Sequence, residues 1–445
     1  MSALKQYIDL WEAHREAIES RAPQAMNALR EAAYSRLQGA RLPRKGEEDY
    51  EATDMDALFA PDYGINVMRH QATASLAESF CCDVPNLSTC LWYAVGDTLA
   101  PHAAALKNTG EGIVQTFSTA ASEHPDLLSQ FYGSLADLND PAVALNTLLA
   151  QDGLLIYVPD GVTLPRTVQL VNIFNARADM MALRRVLIVV GKNAKCAVLA
   201  CDHTQDPDHS YLSSQVVEII AMEGSEVDYY DLEESTPRTT RVSSVFVKQH
   251  ADSNVLVNGI TLTNGTTRNN YRVEVAAERT QTQLYGMTIA GEEQHVDNHT
   301  LIRHCAPRQQ SNEMFKYVLQ DKAVGAFAGK ILVNPHCPKV EAYQGNKNIC
   351  ASPQAKMYTK PQLEIYTDDV RCSHGTAVGR LDEEALFYMR SRGISDAEAR
   401  RLLMQAFVDD VVQAVRLQPL RDRLRMLVEK RFSGTLSSCA GCLKC

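Results

Sequence analysis

Twelve cysteines and 12 histidines carry most of the metal and redox chemistry available to this 445-residue chain. Three of the cysteines, Cys439-x-x-Cys442-x-x-Cys445, match the first three positions of a C-x₂-C-x₂-C ferredoxin run, with no fourth in the sequence. Thiolates at that spacing can wrap one face of a cluster or a zinc ion if a fourth ligand comes from elsewhere; a tail of reducible thiols fits the same residues. His295, Asp297 and His299 alternate, so on a strand they share a face. That pattern suits a metal, but three ligands of mixed quality fit a solvated polar strand face better. His304-Cys305 and His336-Cys337 are neighbours on opposite strand faces, and each pair could ligate together only at a bend. Gly325-Ala-Phe-Ala-Gly329-Lys330-Ile331 is one residue short of a P-loop and has Ile331 where Mg²⁺ needs a hydroxyl. It reads as a strand of small residues. GxGxxG, HExxH and GxSxG are absent, so no nucleotide-binding or hydrolase signature is present. Cys81-Cys82 reads as core filler.

The bulk properties narrow the partners and the compartment. The net charge is −10, and a surface of that sign repels polyphosphate, which argues against nucleic acid as the principal partner. Apolar runs such as Val186–Val190 fall far short of the ~20 residues of a membrane span. The amphipathic, acidic N-terminus lacks an apolar secretory core. Twelve cysteines in a long chain without a secretory signal predict a reducing compartment, the cytoplasm, where thiols are filler, ligands or reactive groups.

The elements that would position these residues follow from periodicity. Leu4, Tyr7, Ile8, Trp11 and Ile18, then Met26, Leu29, Ala33 and Leu37, fall at helical spacing before Pro43. An acidic loop follows over 44–64, a strand over 87–98, and helical patterns over 102–151. From Gly153 to about Asp369, short runs rich in Val, Ile, Tyr and Thr recur at ~10–15-residue intervals between turn residues. Stacked sandwiches, a large barrel or a solenoid could hold so many strands. Val255, Val257, the Asn258-Gly259 corner, then Ile260 and Leu262 favour a solenoid. Helices resume at Leu381: Asp382 opens one and Gly393 ends it. Ser395 to Glu398 forms a capping box, and the stripe Leu402, Leu403, Ala406, Phe407, Val411, Ala414 and Val415 follows. Pro419 suits the first turn of a last helix. The expected divisions are a mainly helical region 1–150, a β core 151–378, a helical region 379–435 and a Cys-rich tail 436–445.

The segment KPQLEIYTDDVRCSHGTAVGRLDEEALFYMRSRGIS, within 329–393 and its flank, resembles the SufB/SufD family of iron–sulfur cluster assembly scaffolds. EDYEATDMDALFAPDYG and QDGLLIYVPDGVTLPRTVQLVNIF at 151–174 are weaker echoes, and 65–150 matches thinly. SufB-like chains carry an EHEAT-type sequence where this chain has Cys372-Ser-His374-Gly-Thr, so the likeness leans to SufD. The resemblance implies a right-handed parallel β-helix between N- and C-terminal helical regions. It implies a non-catalytic subunit that pairs with a SufB-like partner through the β-helices. A SufC-like ABC ATPase would dock on its C-terminal helices and hydrolyse the ATP. The resemblance also implies a transient iron–sulfur cluster at the partner interface, with His374 as a ligand. Cys372 shares a face with His374 if the stretch is a strand; it is then an accessory ligand, a sulfur acceptor, or a small buried residue. For His374 the plainer reading is a loop histidine held by backbone hydrogen bonds. The family likeness leaves open a flavin in the complex and a homodimer of the chain alone, and the tail cysteines depart from it. A SufB-like cluster-carrying subunit is the nearer alternative. A β-helix enzyme acting on polysaccharide or acyl groups is the other, but it needs aligned carboxylates or bases that cannot be read here. The helical stripe after Leu386 outruns what a small helical region needs, which marks it as the expected ATPase dock.

Overall fold

The structure is a computed structural model that describes residues 2–70, 84, 87–101 and 110–435; Cys81, Cys82, Cys439, Cys442 and Cys445 lie outside them. Helices α1 (Leu4–Glu19), α2 (Gln24–Leu37), α3 (Met55–Phe59), α4 (Phe117–Glu123), α5 (Pro125–Phe131) and α6 (Pro141–Leu149) flank in sequence the short strands β1 (Thr89–Val95), β2 (Thr98–Pro101) and β3 (Ile113–Thr116). Strands then follow one another without an intervening helix from β4 (Leu154–Val158) to β19 (Arg371–Gly379).

Successive strands alternate between two sheets. From β4 on, the odd-numbered strands stack in one and the even-numbered strands in the other, and from β6 each is parallel to the strand one coil before it; β1 and β2 extend the odd sheet and β3 the even one. Thr240 lies beside Thr266 and Val324 beside Lys356, so a coil takes 26 to 32 residues. This is a β-solenoid of about 8 turns. The corners use left-handed backbone at Asn193, Gly224 and Asp252, short polar residues or glycine that tolerate positive φ.

Burial explains the sequence pattern. In Val186–Val190 every residue is apolar because both faces are covered. Val186, Ile188 and Val190 point into the coil, while Leu187 and Val189 pack outward against the N-terminal helices. Each such side chain contributes about 1.5–3 kcal/mol on burial. Farther along, β14 (His295–His304) loses the continuous run and alternates.

Helices α7 (Glu383–Ser391), α8 (Asp396–Gln413) and α9 (Gln418–Phe432) lie on the outer face of the odd sheet. Asp382 accepts from the Glu384 and Ala385 amides, and Gly393 adopts φ +87° at the end of α7. Half of the expected capping box forms. Ser395 Oγ accepts from the Glu398 amide at 3.3 Å, but the Glu398 carboxylate turns to Arg401 at 2.6 Å, where an ion pair is available. The expected helical stripe holds in part: Val411 and Val415 are buried and Leu403 and Phe407 pack against the same core. The buried residues of α8 are Ala399, Met404, Val408, Val411 and Val412, whereas Leu402 and Ala406 face solvent. That stripe already has its partner, since it packs on Tyr230, Leu256, Ile260 and Met287 of the β-helix. Lys316 reinforces the contact through the Phe407 carbonyl at 2.7 Å and Asp410 at 2.6 Å. Among the described residues no helix is long and apolar enough to cross a membrane.

Candidate functional site

The last three coils are built from β14, β15 (Gln310–Leu319), β16 (Val324–Val333), β17 (Glu341–Cys350), β18 (Lys356–Ile365) and β19. Strands β18 and β19 are terminal in their sheets, and among the described residues nothing pairs with their free edges. Side chains that would point into the interior of a coil therefore reach the surface here. Cys372 lies beside Ala342 and His374 beside Gln344, both buried positions, so the two share the inward face of β19 as their spacing predicts. Cys372 is half-buried and packs near Cys337 and Val340; His374 is exposed. Burial pushes the Cys372 thiol above its usual range, against the pull of the Ala342 backbone. Among the described residues the His374 ring makes no hydrogen bond, so the loop histidine held by backbone contacts is not what the strand contains.

Below these residues the interior is polar. Glu313 is fully buried and accepts from Thr300 at 2.5 Å and from Gln344 Nε2 at 2.9 Å. Burial raises its carboxyl to about 7, against both hydrogen bonds. Asn346 and Asn348 exchange amide bonds at 2.7 and 3.1 Å. Thr359 donates to Asn346 at 2.9 Å and meets Thr376 at 2.9 Å. Around this polar floor stand exposed Tyr343, Tyr358, Ile365, Tyr366 and Val378. The end of the coil thus combines a thiol, a free imidazole, two bare strand edges and apolar rim residues. It can offer iron a sulfur and a nitrogen while pairing with another chain.

The other sequence candidates resolve differently. His295, Asp297 and His299 share the outward face of β14 as their spacing predicts, but Asp297 is buried there. The expected solvated face is instead covered by residues 49–53. Thr53 Oγ1 lies 2.9 Å from His295 Nε2 and donates to Asp297 at 2.6 Å; Arg268 pairs with Asp297 at 2.7 Å. Tyr50 lies 4.4 Å from the Arg268 guanidinium, Asp49 3.5 Å from His299, and Glu51 2.8 Å from Lys360. Burial raises the Asp297 carboxyl, but Arg268 and Thr53 overcome it and hold the group below its usual value. A guanidinium at the carboxylate leaves no place for a cation. His304 spends both ring nitrogens on Gln309 and Ser311, each at 2.9 Å, and burial lowers it to about 4. Its neighbour Cys305 instead accepts from Asn334 at 3.5 Å. Cys337 is buried at the next corner, where His336 takes φ +63°. Gly325 and Gly329 of the false P-loop face the interior of β16. A Cβ on Gly325 would lie 2.8 Å from Met357 Sδ, and one on Gly329 2.5 Å from Gln344 Nε2.

Sequence reading missed Glu313 and Gln344. Their only signal is the coil spacing, which stacks Glu313, Gln344 and His374 on successive odd strands. It also missed the exposed aromatic pair Phe387 and Tyr388, 75% and 60% accessible.

Comparison with known proteins accords with this architecture. Residues 172–407 match the model described as SUF system FeS cluster assembly, SufBD core domain, and residues 1–170 match the SufBD protein N-terminal region. An iron–sulfur cluster assembly SufBD family protein of Synechocystis is 27% identical over 413 residues, 90% of each chain. The iron–sulfur cluster assembly protein SufD of Bacillus subtilis is 24% identical over 354 residues, covering 78% of this chain and 80% of its own. SufD of Escherichia coli is 32% identical over 167 residues, 38% of this chain and 40% of its own. The chain belongs to the SufBD family of iron–sulfur cluster assembly proteins.

Proposed function

We propose that this chain is a SufD-like scaffold subunit that presents Cys372 and His374 to an iron–sulfur cluster shared with a SufB-like partner. The observation that carries the reading is the uncapped last coil, where an exposed imidazole and a half-buried thiol share the inward face of β19. Nascent cluster is cargo here. One or two ligands at a surface hold it less firmly than a closed protein site would, which suits transfer. The bare edges of β18 and β19 give the partner backbone groups to pair with, and the rim residues Tyr358, Tyr366 and Val378 give it apolar area. The same edges could pair two copies of the chain when it is alone.

An ABC-type ATPase subunit would dock on the C-terminal helices. The buried stripe of α8 is occupied by the β-helix, so the surface offered is Phe387 and Tyr388 on α7 with Leu402 on α8. ATP hydrolysis then belongs to the partner, in the reducing cytoplasm that the cysteine content suggests. A role for Cys439, Cys442 and Cys445 in holding metal, and a flavin in the complex, remain separate proposals that this reading does not need.

The test is co-purification with candidate SufB-like and SufC-like subunits, followed by anaerobic reconstitution with iron and sulfide. Wild-type complex should load cluster. The His374→Ala complex should assemble equally well and load less. Equal loading would remove His374 from the ligand set; cluster on the chain alone would favour a SufB-like role.

A further inference from the structure

We propose that Gln344 is the positioning residue for His374: its side-chain carbonyl accepts the ring N–H and leaves the other nitrogen free for iron. The inference rests on the reading of His374 given above. Four observations converge on it.

First, Glu313, Gln344 and His374 are register partners on successive odd strands, about 4.8 Å per step, and all point inward. Second, the Gln344 amide is already held from below. Its Nε2 donates to Glu313 Oε2 at 2.9 Å, and Thr300 donates to the other Glu313 oxygen. Both carboxylate oxygens accept, so the amide's donor end is committed downward. Third, Gln344 is only 4% exposed, and its Oε1 is buried without a hydrogen-bond partner. A buried carbonyl oxygen left so costs about 1–3 kcal/mol, and here a ring with a free donor stands one coil above it. Fourth, the amide has a prepared place, because Nε2 sits 2.5 Å from where a Cβ on Gly329 would be. Any other residue at 329 would displace it.

The donors around this oxygen are otherwise engaged. Asn346 Nδ2 donates to Phe315 O and Asn348, Asn348 Nδ2 to Asn346 and Ala377 O, and Thr359 and Thr376 bond to Asn346 and each other. His374, one coil above, has a ring free of hydrogen bonds among the described residues. A neutral imidazole has one N–H and one lone pair. Giving the N–H to Gln344 selects the tautomer and turns the lone pair toward the open end. Metal-bound histidines almost always give their second nitrogen to a carboxylate, carbonyl or water, and losing that acceptor costs roughly 10–100-fold in metal affinity.

The test separates this inference from the reading beneath it. The full chain is labelled with ¹⁵N at histidine, and long-range ¹H–¹⁵N spectra are recorded without metal. The His374 signals are identified by their loss in His374→Gln. Wild type should show one tautomer. Gln344→Leu should show the mixture of an unconstrained ring, and Gln344→Glu combined with Glu313→Gln, which keeps one amide donor and one carboxylate between the two strands, should restore a single tautomer. A mixture in wild type, or no change in Gln344→Leu, overturns the inference. Should Gln344→Leu fail to fold, Gly329→Ala displaces the amide instead, with the same expectation. In the reconstituted complex, iron retention against a chelator should fall about 10–100-fold in Gln344→Leu and recover in the Gln344→Glu, Glu313→Gln double variant. Normal loading by His374→Ala would refute the ligand reading whatever the tautomer result.

Discussion

At its N-terminal end the β-helix finishes in β2 and β3, strands of 4 residues each that run antiparallel to their neighbours, with α4 following directly. At its C-terminal end it finishes in β18 and β19, strands of 10 and 9 residues with parallel edges left bare. The first coils are lined by Trp92, Val114, Leu154 and Ile156, all buried. The last are lined by Glu313, Gln344, Asn346 and His374. Short, turned-back edge strands are how sheets avoid adding another strand. A long flat edge over a polar interior is what a sheet built to be extended looks like. One end is closed on itself; the other leaves the free edges that the proposed partner contact requires.

The sharpest way to break this contrast is through the segment 49–53 that ties the N-terminal region to the later coils. Arg268→Ala leaves Asp297 buried and unpaired, and should cost about 3–5 kcal/mol in urea unfolding. A loss below about 1 kcal/mol would mean that solvent already reaches Asp297.

Next come matched truncations at the two ends. Ile156→Ala, fully buried near the closed end, should cost about 2–5 kcal/mol. Val378→Ala, 49% accessible at the open end, should change the isolated chain by no more than ~0.5 kcal/mol while weakening partner pairing. Equal losses would erase the distinction between the ends.

Glu313 adds a pH signature beneath the open end. Its folded value of about 7 lies above the 4.5 of the free side chain. Folding therefore favours the neutral acid. The stability this confers is complete below about pH 4.5 and lost as pH rises through about 7. Glu313→Gln should accordingly be more stable than wild type at pH 8, by about 3 kcal/mol at most, and indistinguishable at pH 4. Denaturant melts at both pH values decide it; an advantage at pH 4 would reverse the sign.

The smallest expected effect on the fold belongs to the surface pair on α7. Phe387→Ala with Tyr388→Ala should leave the melting curve within ~0.5 kcal/mol of wild type and abolish capture of a SufC-like subunit. Retained capture would move the dock elsewhere.

Much of this was legible in the residues. The β runs and their polar corners gave the strands, because half-buried strands must alternate and corners need turn residues. The two-residue spacing of Cys372 and His374 placed them on one face. What escaped was long-range. His295 and Asp297 read as a wet face because nothing local shows that Thr53 and Arg268 cover them. The α8 stripe was placed only in part because Leu402 and Val408 are both apolar, and only docking on Tyr230 and Met287 decides which is buried. Gln344 was invisible for the same reason. An amide is unremarkable until the coil length sets it between Glu313 and His374.

Segment 49–53 has a consequence for how the molecule forms. A bare solenoid gains and loses coils one neighbour at a time, so its ends can fray independently. Here Glu51 holds Lys360 across 309 residues, and Thr53 holds Asp297 across 244. During synthesis from the N-terminus, the segment cannot dock on Arg268 and Asp297 until the ribosome has delivered β14, and its reach to Lys360 waits for β18. After closure, opening the coil of β14 also means releasing segment 49–53, which couples the N-terminal region to coils far from it in sequence.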